Sequence, residues 1–146
     1  MTVEPLPQQP SARAQRVGLR AAIDGLRAAG DARVTDRGAW NRTVVAALTE
    51  LRAALARHAE FTEGPDGLFA EIKEEAPRLL HRVERLEAEH GDLENDVDRC
   101  AGDLADADTA GAEASVAAVV AAFDRHVHRG ADLVYDAYNV DISSGD

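Results

Sequence analysis

Aromatic side chains are scarce in this sequence of 146 residues, with three Phe, two Tyr and one Trp. That scarcity argues against a strand-rich fold, because strands are built on aromatic and β-branched residues. Cysteine is reduced to Cys100, which cannot form an internal disulfide, so no staple supports the core and the thiol itself is expected to be a small buried hydrophobe. Basic charge is short as well: 16 Lys and Arg stand against 27 Asp and Glu, a net charge of −11. A chain this acidic offers no face to nucleic acid phosphates or to anionic membrane surfaces. It contains no apolar run near the ~20 residues that span a bilayer, and Met1 to Pro10 lacks the apolar core of a signal peptide. A cytoplasmic location is the expectation, and the Asn41-Arg42-Thr43 sequon is then a chance match.

What remains is rich in Ala, Leu, Arg and Glu, the strong helix formers, and its length suits one domain with a single core. An all-α fold follows. The stretch that organises it runs from Pro77 to Leu104. Leu79, Val83, Leu86, His90, Leu93, Val97, Cys100 and Leu104 alternate by four and three, the spacing of the inner seam of a long helix. His90 is the one polar residue in that seam, and an imidazole buried without a partner costs about 1 to 3 kcal/mol.

The other periodic stretches extend this to an up-down four-helix bundle, with helices near Ser11 to Ala29, Asp36 to Phe61, Ala76 to Leu104 and Gly111 to Tyr138. Ser11 and Asp36 suit N-caps and Gly30 a left-handed stop. Pro65 between glycines breaks the second helix, Leu68 to Glu74 adds a turn or two beyond it, and Asp103 to Gly111 is the turn into the last helix. Residues 1–10, with three prolines, form an extended disordered tail; residues 11–138 are the bundle, and residues 139–146 a second tail.

Three of the five histidines lie on or beside inner stripes, each on a different helix. His90 and His126 are equidistant from Asp108, inside the predicted turn, so they face each other at one level. His58 joins that level if Leu68 to Glu74 continues in the direction of the second helix. Imidazoles converging from facing helices, with carboxylates nearby, are how a bundle builds a metal site in its core. Glu94, at i+4 from His90, and Glu63, at i+5 from His58, are the acids in reach, which gives a candidate ligand set of His58, His90, His126, Glu94 and Glu63. The alternative is that each histidine is bonded to a carboxylate or backbone carbonyl and no metal is held. His81 lies off the stripe and His128 on an outer face.

These residues also carry a resemblance. The segment Leu55 to Leu93, with His58, Glu63, Leu68-Phe69, Pro77 and the Glu89-His90 pair, resembles the second and third helices of hemerythrin-like (HHE cation-binding) domains. His126 followed by Asp132-Leu133-Val134-Tyr135 resembles their fourth. The resemblance implies an up-down four-helix bundle and a non-haem di-iron centre that binds oxygen, senses oxygen or iron, or handles peroxide and nitric oxide. It also implies where this chain departs: the first-helix histidine falls near Arg16, and the acids four residues after His58 and His126 are replaced by Thr62 and Gly130. That ligand set is too short for a di-iron pair, though three imidazoles with Glu94 can hold one ion.

The functions that follow are a metal-binding or sensing module with an incomplete di-iron site, holding iron or zinc, and a metal-free bundle kept as an interaction scaffold. A third is a pocket for a small ligand in the bundle core, bounded by the histidines and by Tyr135 and Tyr138. The side chain of Arg16 is expected to separate the first two, because a guanidinium turned inward would pair with Glu63 or Glu94 and exclude the ion. With both i+4 acids gone, that ion-pair network is favoured. No nucleophile-and-base pair stands out, so no catalytic residue is assigned and enzymatic hydrolysis has no support.

Overall fold

The structure, a computed structural model, describes residues 9–140. Five α-helices follow one another: α1 (Gln9–Asp31), α2 (Arg37–Glu63), α3 (Leu68–Glu75), α4 (Leu80–Asp106) and α5 (Thr109–Tyr135). A single 3-10 turn, Pro77–Leu79, leads into α4, and a π turn, Asp136–Val140, follows α5. The four long helices pack in a ring, α1 on α2, α2 on α4, α4 on α5 and α5 back on α1. This is the up-down bundle that short connections force on antiparallel neighbours. There is no strand among the described residues, and no described helix is long and apolar enough to cross a membrane. The tails expected at 1–10 and 139–146 lie largely outside the described residues, although Gln9 and Pro10 open α1 and Asn139 and Val140 belong to the π turn.

The helix starts are set by local chemistry. Asp36 precedes α2 and accepts from the backbone N–H of Gly38 at 2.9 Å, and Asp108 precedes α5 and accepts from Gly111 at 2.7 Å. Each satisfies an N–H that the helix leaves orphaned, at a value of about 1 kcal/mol. Ser11 lies inside α1, so it is not the N-cap expected of it.

The ends of two helices differ from expectation, and both are set by tertiary contact. No described residue has a positive φ, so Gly30 is no left-handed stop; α1 runs through it to Asp31. Glycine is needed there because a Cβ would lie 2.9 Å from Cγ1 of Val116 on α5, and its carbonyl accepts from the indole N–H of Trp40 at 3.2 Å. The turn placed at Asp103 to Gly111 shrinks to Ala107 and Asp108, because α4 continues to Asp106. Its last carbonyls find donors on α2: Arg37 reaches the oxygens of Leu104 and Ala107, and Asn41 donates to Leu104 at 3.2 Å.

Every residue of the α4 seam from Leu79 to Leu104 is buried, including Cys100, whose thiol is pushed up by burial. The apolar interior divides in two. The larger cluster joins α1, α2, α4 and α5 around Leu26, Leu51, Leu93 and Phe123, and the smaller joins α3, the start of α4 and the end of α5 around Ile72, Val83 and Leu133. Leu86 belongs to the smaller cluster and Leu93 to the larger, so His90 sits at the boundary.

Candidate metal centre

The boundary layer is made of three imidazoles. His58 comes from the last turns of α2, His90 from the middle of α4 and His126 from α5, and each continues an apolar stripe, so packing the stripes brings the rings inward. One nitrogen from each lies within 4.8 Å of the others. The Nε2 atoms of His58 and His126 are 3.4 Å apart. Ring centroids stand 4.9 to 5.5 Å apart, with steep interplanar angles. Phe69 of α3 stacks on His90 at 6.0 Å and 9°, which fixes the plane of that ring. The shared level of His58 and His90 is thus present even though α3 is a separate helix after the Gly64–Gly67 break. At that break a Cβ on Gly67 would fall 2.5 Å from the carbonyl of Phe61, so the chain turns where only glycine fits.

Burial keeps two of the rings, those of His58 and His126, neutral. The pKa of His58 is pushed down to about 3, chiefly by burial and then by the proximity of His90 and His126. That of His126 is lowered mainly by burial, against the pull of Glu89. A neutral ring offers a lone pair, which is the form that ligates.

The partners on the outer edges are carboxylates. Glu89 accepts from the Nδ1–H of His126 at 2.7 Å, and its other oxygen takes Arg129 at 2.8 Å. That bond fixes the tautomer of His126 and leaves Nε2 as an acceptor, which takes Nε2–H of His58 at 3.4 Å. Oε2 of Glu63 lies 3.1 Å from Nδ1 of His90. The approach is out of line for a hydrogen bond, so neither ring nitrogen of His90 has a hydrogen-bond partner, nor does Nδ1 of His58. Glu94 stands apart: 52% exposed, it faces solvent and pairs with Arg52 at 2.9 Å. The structure therefore gathers His58, His90 and His126, puts Glu63 beside His90 alone, and leaves Glu94 outside. His81 and His128 are exposed, beside Glu84 and Asp132.

Residues 13–138 match the model of the hemerythrin HHE cation-binding domain family. The chain belongs to that family. No curated protein and no solved structure matches it. Within this HHE domain the three positions expected to lack a family ligand lie together. Arg16, Thr62 and Gly130 line one small cavity with Leu19, His58 and His126, of about 30 Å³, room for roughly one water. The Thr62 hydroxyl is turned back on its own helix, donating to the carbonyl of His58 at 2.9 Å, and Gly130 has no side chain to offer. Glu63 lies beside His90 and Glu94 pairs with Arg52, and the expected network joining them to Arg16 is not formed. Neither tyrosine lines this cavity: Tyr135 is 62% exposed, and Tyr138 is buried in the smaller cluster.

Two residues of the layer escaped the sequence reading. Glu89 was visible only as half of the Glu89-His90 pair, yet it and His126 are equidistant from the Ala107–Asp108 link, the same level rule that selects His90. Arg129 carries no such signal, since its role depends on where the Glu89 carboxylate points.

Proposed function

We propose that this HHE domain is a metal-binding module that holds one divalent transition-metal ion, iron or zinc, on His58, His90 and His126. The observation that carries the reading is His90: its ring is 5% exposed, and both nitrogens lack a hydrogen bond while two further imidazoles converge on it. Without an ion those nitrogens stay desolvated and unpaired, at about 1 to 3 kcal/mol for each such group. The donor set suits the proposal, because neutral imidazole serves iron and zinc alike. Bonds of about 2 Å at tetrahedral angles place the nitrogens on one ion about 3.3 Å apart, so rings now within 4.8 Å need to close by about 1.5 Å at most. Glu89 sits where an outer carboxylate orients a ligating histidine. Thr62 and Gly130 supply no oxygen ligand, which limits the site to one ion. When bound, such an ion supplies a Lewis-acidic centre with a coordination position left for a small ligand, the property a sensing module needs. The residues of the chain hold and orient the ligating nitrogens and exclude bulk water from them.

The test is a thermal titration of untagged protein with iron(II) or zinc, paired with elemental analysis of protein purified without added metal. One ion per chain is expected, and a stabilisation of about 2.7 kcal/mol at a hundredfold excess over Kd, absent in His90→Ala. A natural protein whose melting temperature does not respond to either metal would refute the proposal.

A further inference from the structure

Two openings approach the imidazole layer from outside. On the α1–α5 side is the 30 Å³ cavity, lined by apolar atoms and flanked by Arg16. A hydrated divalent ion crossing it would lose its water against hydrocarbon and meet a like charge. On the α2–α4 side a wider cleft of about 210 Å³ runs down to His90, between Arg52, Ala59, Glu63, Glu87 and Glu94. Its charge is not balanced. Lys73 matches Glu87 at 2.8 Å, while Arg52 is divided between Glu94 and Asp98. Glu63 has only the His90 imidazole beside it in the cleft, and it is 38% exposed where His90 is 6%. One carboxylate thus has a side in solvent and a side on a buried ring whose nitrogens lack hydrogen-bond partners.

We propose that a divalent cation reaches the imidazoles through the α2–α4 cleft and is first held there between the Glu63 carboxylate and Nδ1 of His90, an outer binding position separate from the three-imidazole site. This rests on the reading of that inner site as a metal centre. The excess negative charge of the cleft raises the local cation concentration at its mouth. Glu63 replaces part of the ion's hydration with a carboxylate oxygen, so the ion is not stripped of water against apolar side chains. Because Glu63 is the last residue of α2, followed at once by the Gly64–Gly67 turn, its side chain can swing from solvent to interior without disturbing either apolar cluster. His90, held in plane by Phe69, presents Nδ1 to Glu63 and the cleft. Its one lone pair serves at Nδ1 first, and as the ion passes inward the ring proton moves from Nε2 to Nδ1, which frees Nε2 for the inner site.

Uptake of Co2+ by the metal-free full-length chain, followed by stopped-flow visible absorption, tests the route. Glu63→Gln should slow second-order uptake by about tenfold or more and reach the same final spectrum. Glu63→Asp, which keeps the charge, should recover most of the rate, and Arg16→Gln should load like the natural protein. Uptake by Glu63→Gln at the natural rate refutes the route and leaves the inner site standing, and faster uptake by Arg16→Gln moves the route to the α1–α5 side and overturns the proposal. A different final spectrum in Glu63→Gln makes Glu63 an inner ligand and removes the outer position. No uptake by the natural protein overturns both the route and the metal centre.

Discussion

At the scale of single residues, His58 shows how strongly position changes the chemistry of an imidazole. The same ring that titrates near 6.5 in an unfolded chain is held at about 3 here, first by burial and then by two neighbouring rings. His126 is displaced in the same direction, and only the Glu89 carboxylate moderates it. The consequence for the metal-free protein has a definite sign. Between about pH 6.5 and 3 the unfolded chain binds a proton at His58 that the native chain refuses, so stability is full above that window and falls as the pH drops through it. The slope for this one group approaches about 1.4 kcal/mol per pH unit, with His126 adding to it. Urea midpoints between pH 7 and pH 5 should therefore decline, and the decline should flatten in His58→Asn. Equal slopes for the two proteins would mean that the ring is protonated in the native state. Loading with metal should raise the midpoint at neutral pH and steepen the decline below it, because protons then compete with the ion for the same lone pairs.

At the scale of elements, α4 carries the division of the interior. Leu86 and Leu93 sit one turn to either side of His90, 3% and 4% exposed, each anchoring a different apolar cluster. Truncating either to Ala should cost about 2 to 5 kcal/mol through lost burial and the cavity left behind. His81, on the opposite face and 97% exposed as a side chain, should change the denaturation midpoint little when replaced by Ala. Equal midpoints for all three variants would show that the seam is not the inner face. This seam was legible in the sequence because one period, alternating four and three, runs unbroken from Leu79 to Leu104. Helix ends were less legible, and for a definite reason. The fate of Gly30 depends on Val116, more than eighty residues away in the chain, and α4 is extended by donors on Arg37 and Asn41 of another helix. No local signal marks either. The histidine layer was readable because equal distance from a turn fixes a level. The direction of a flexible carboxylate is not fixed that way, so Glu94 was put forward where Glu89 makes the closer contact.

At the scale of the whole molecule, the imidazole layer joins two unequal bodies. The larger cluster draws on all four long helices, whereas the smaller has no residue from α1 and rests on α3, the start of α4 and the end of α5. Covalent continuity ties α3 to α2 only through the Gly64–Gly67 break, and Phe69 ties it to the layer by stacking on His90. An ion bound by His58, His90 and His126 would cross-link α2, α4 and α5 at the junction of the two bodies, where the metal-free protein has imidazole nitrogens without partners. Local opening draws on the least supported unit, so α3 and the end of α5 should open before the larger cluster does. Hydrogen exchange of metal-free and metal-loaded protein tests this directly. Loading should raise protection most in Leu68–Glu75 and in the last turns of α5, and least in α1. A uniform rise along all the helices would mean that the bundle opens only as a whole. A rise centred on α1 would mean that the ion is held on the Arg16 side of the layer, away from the nitrogens of His90.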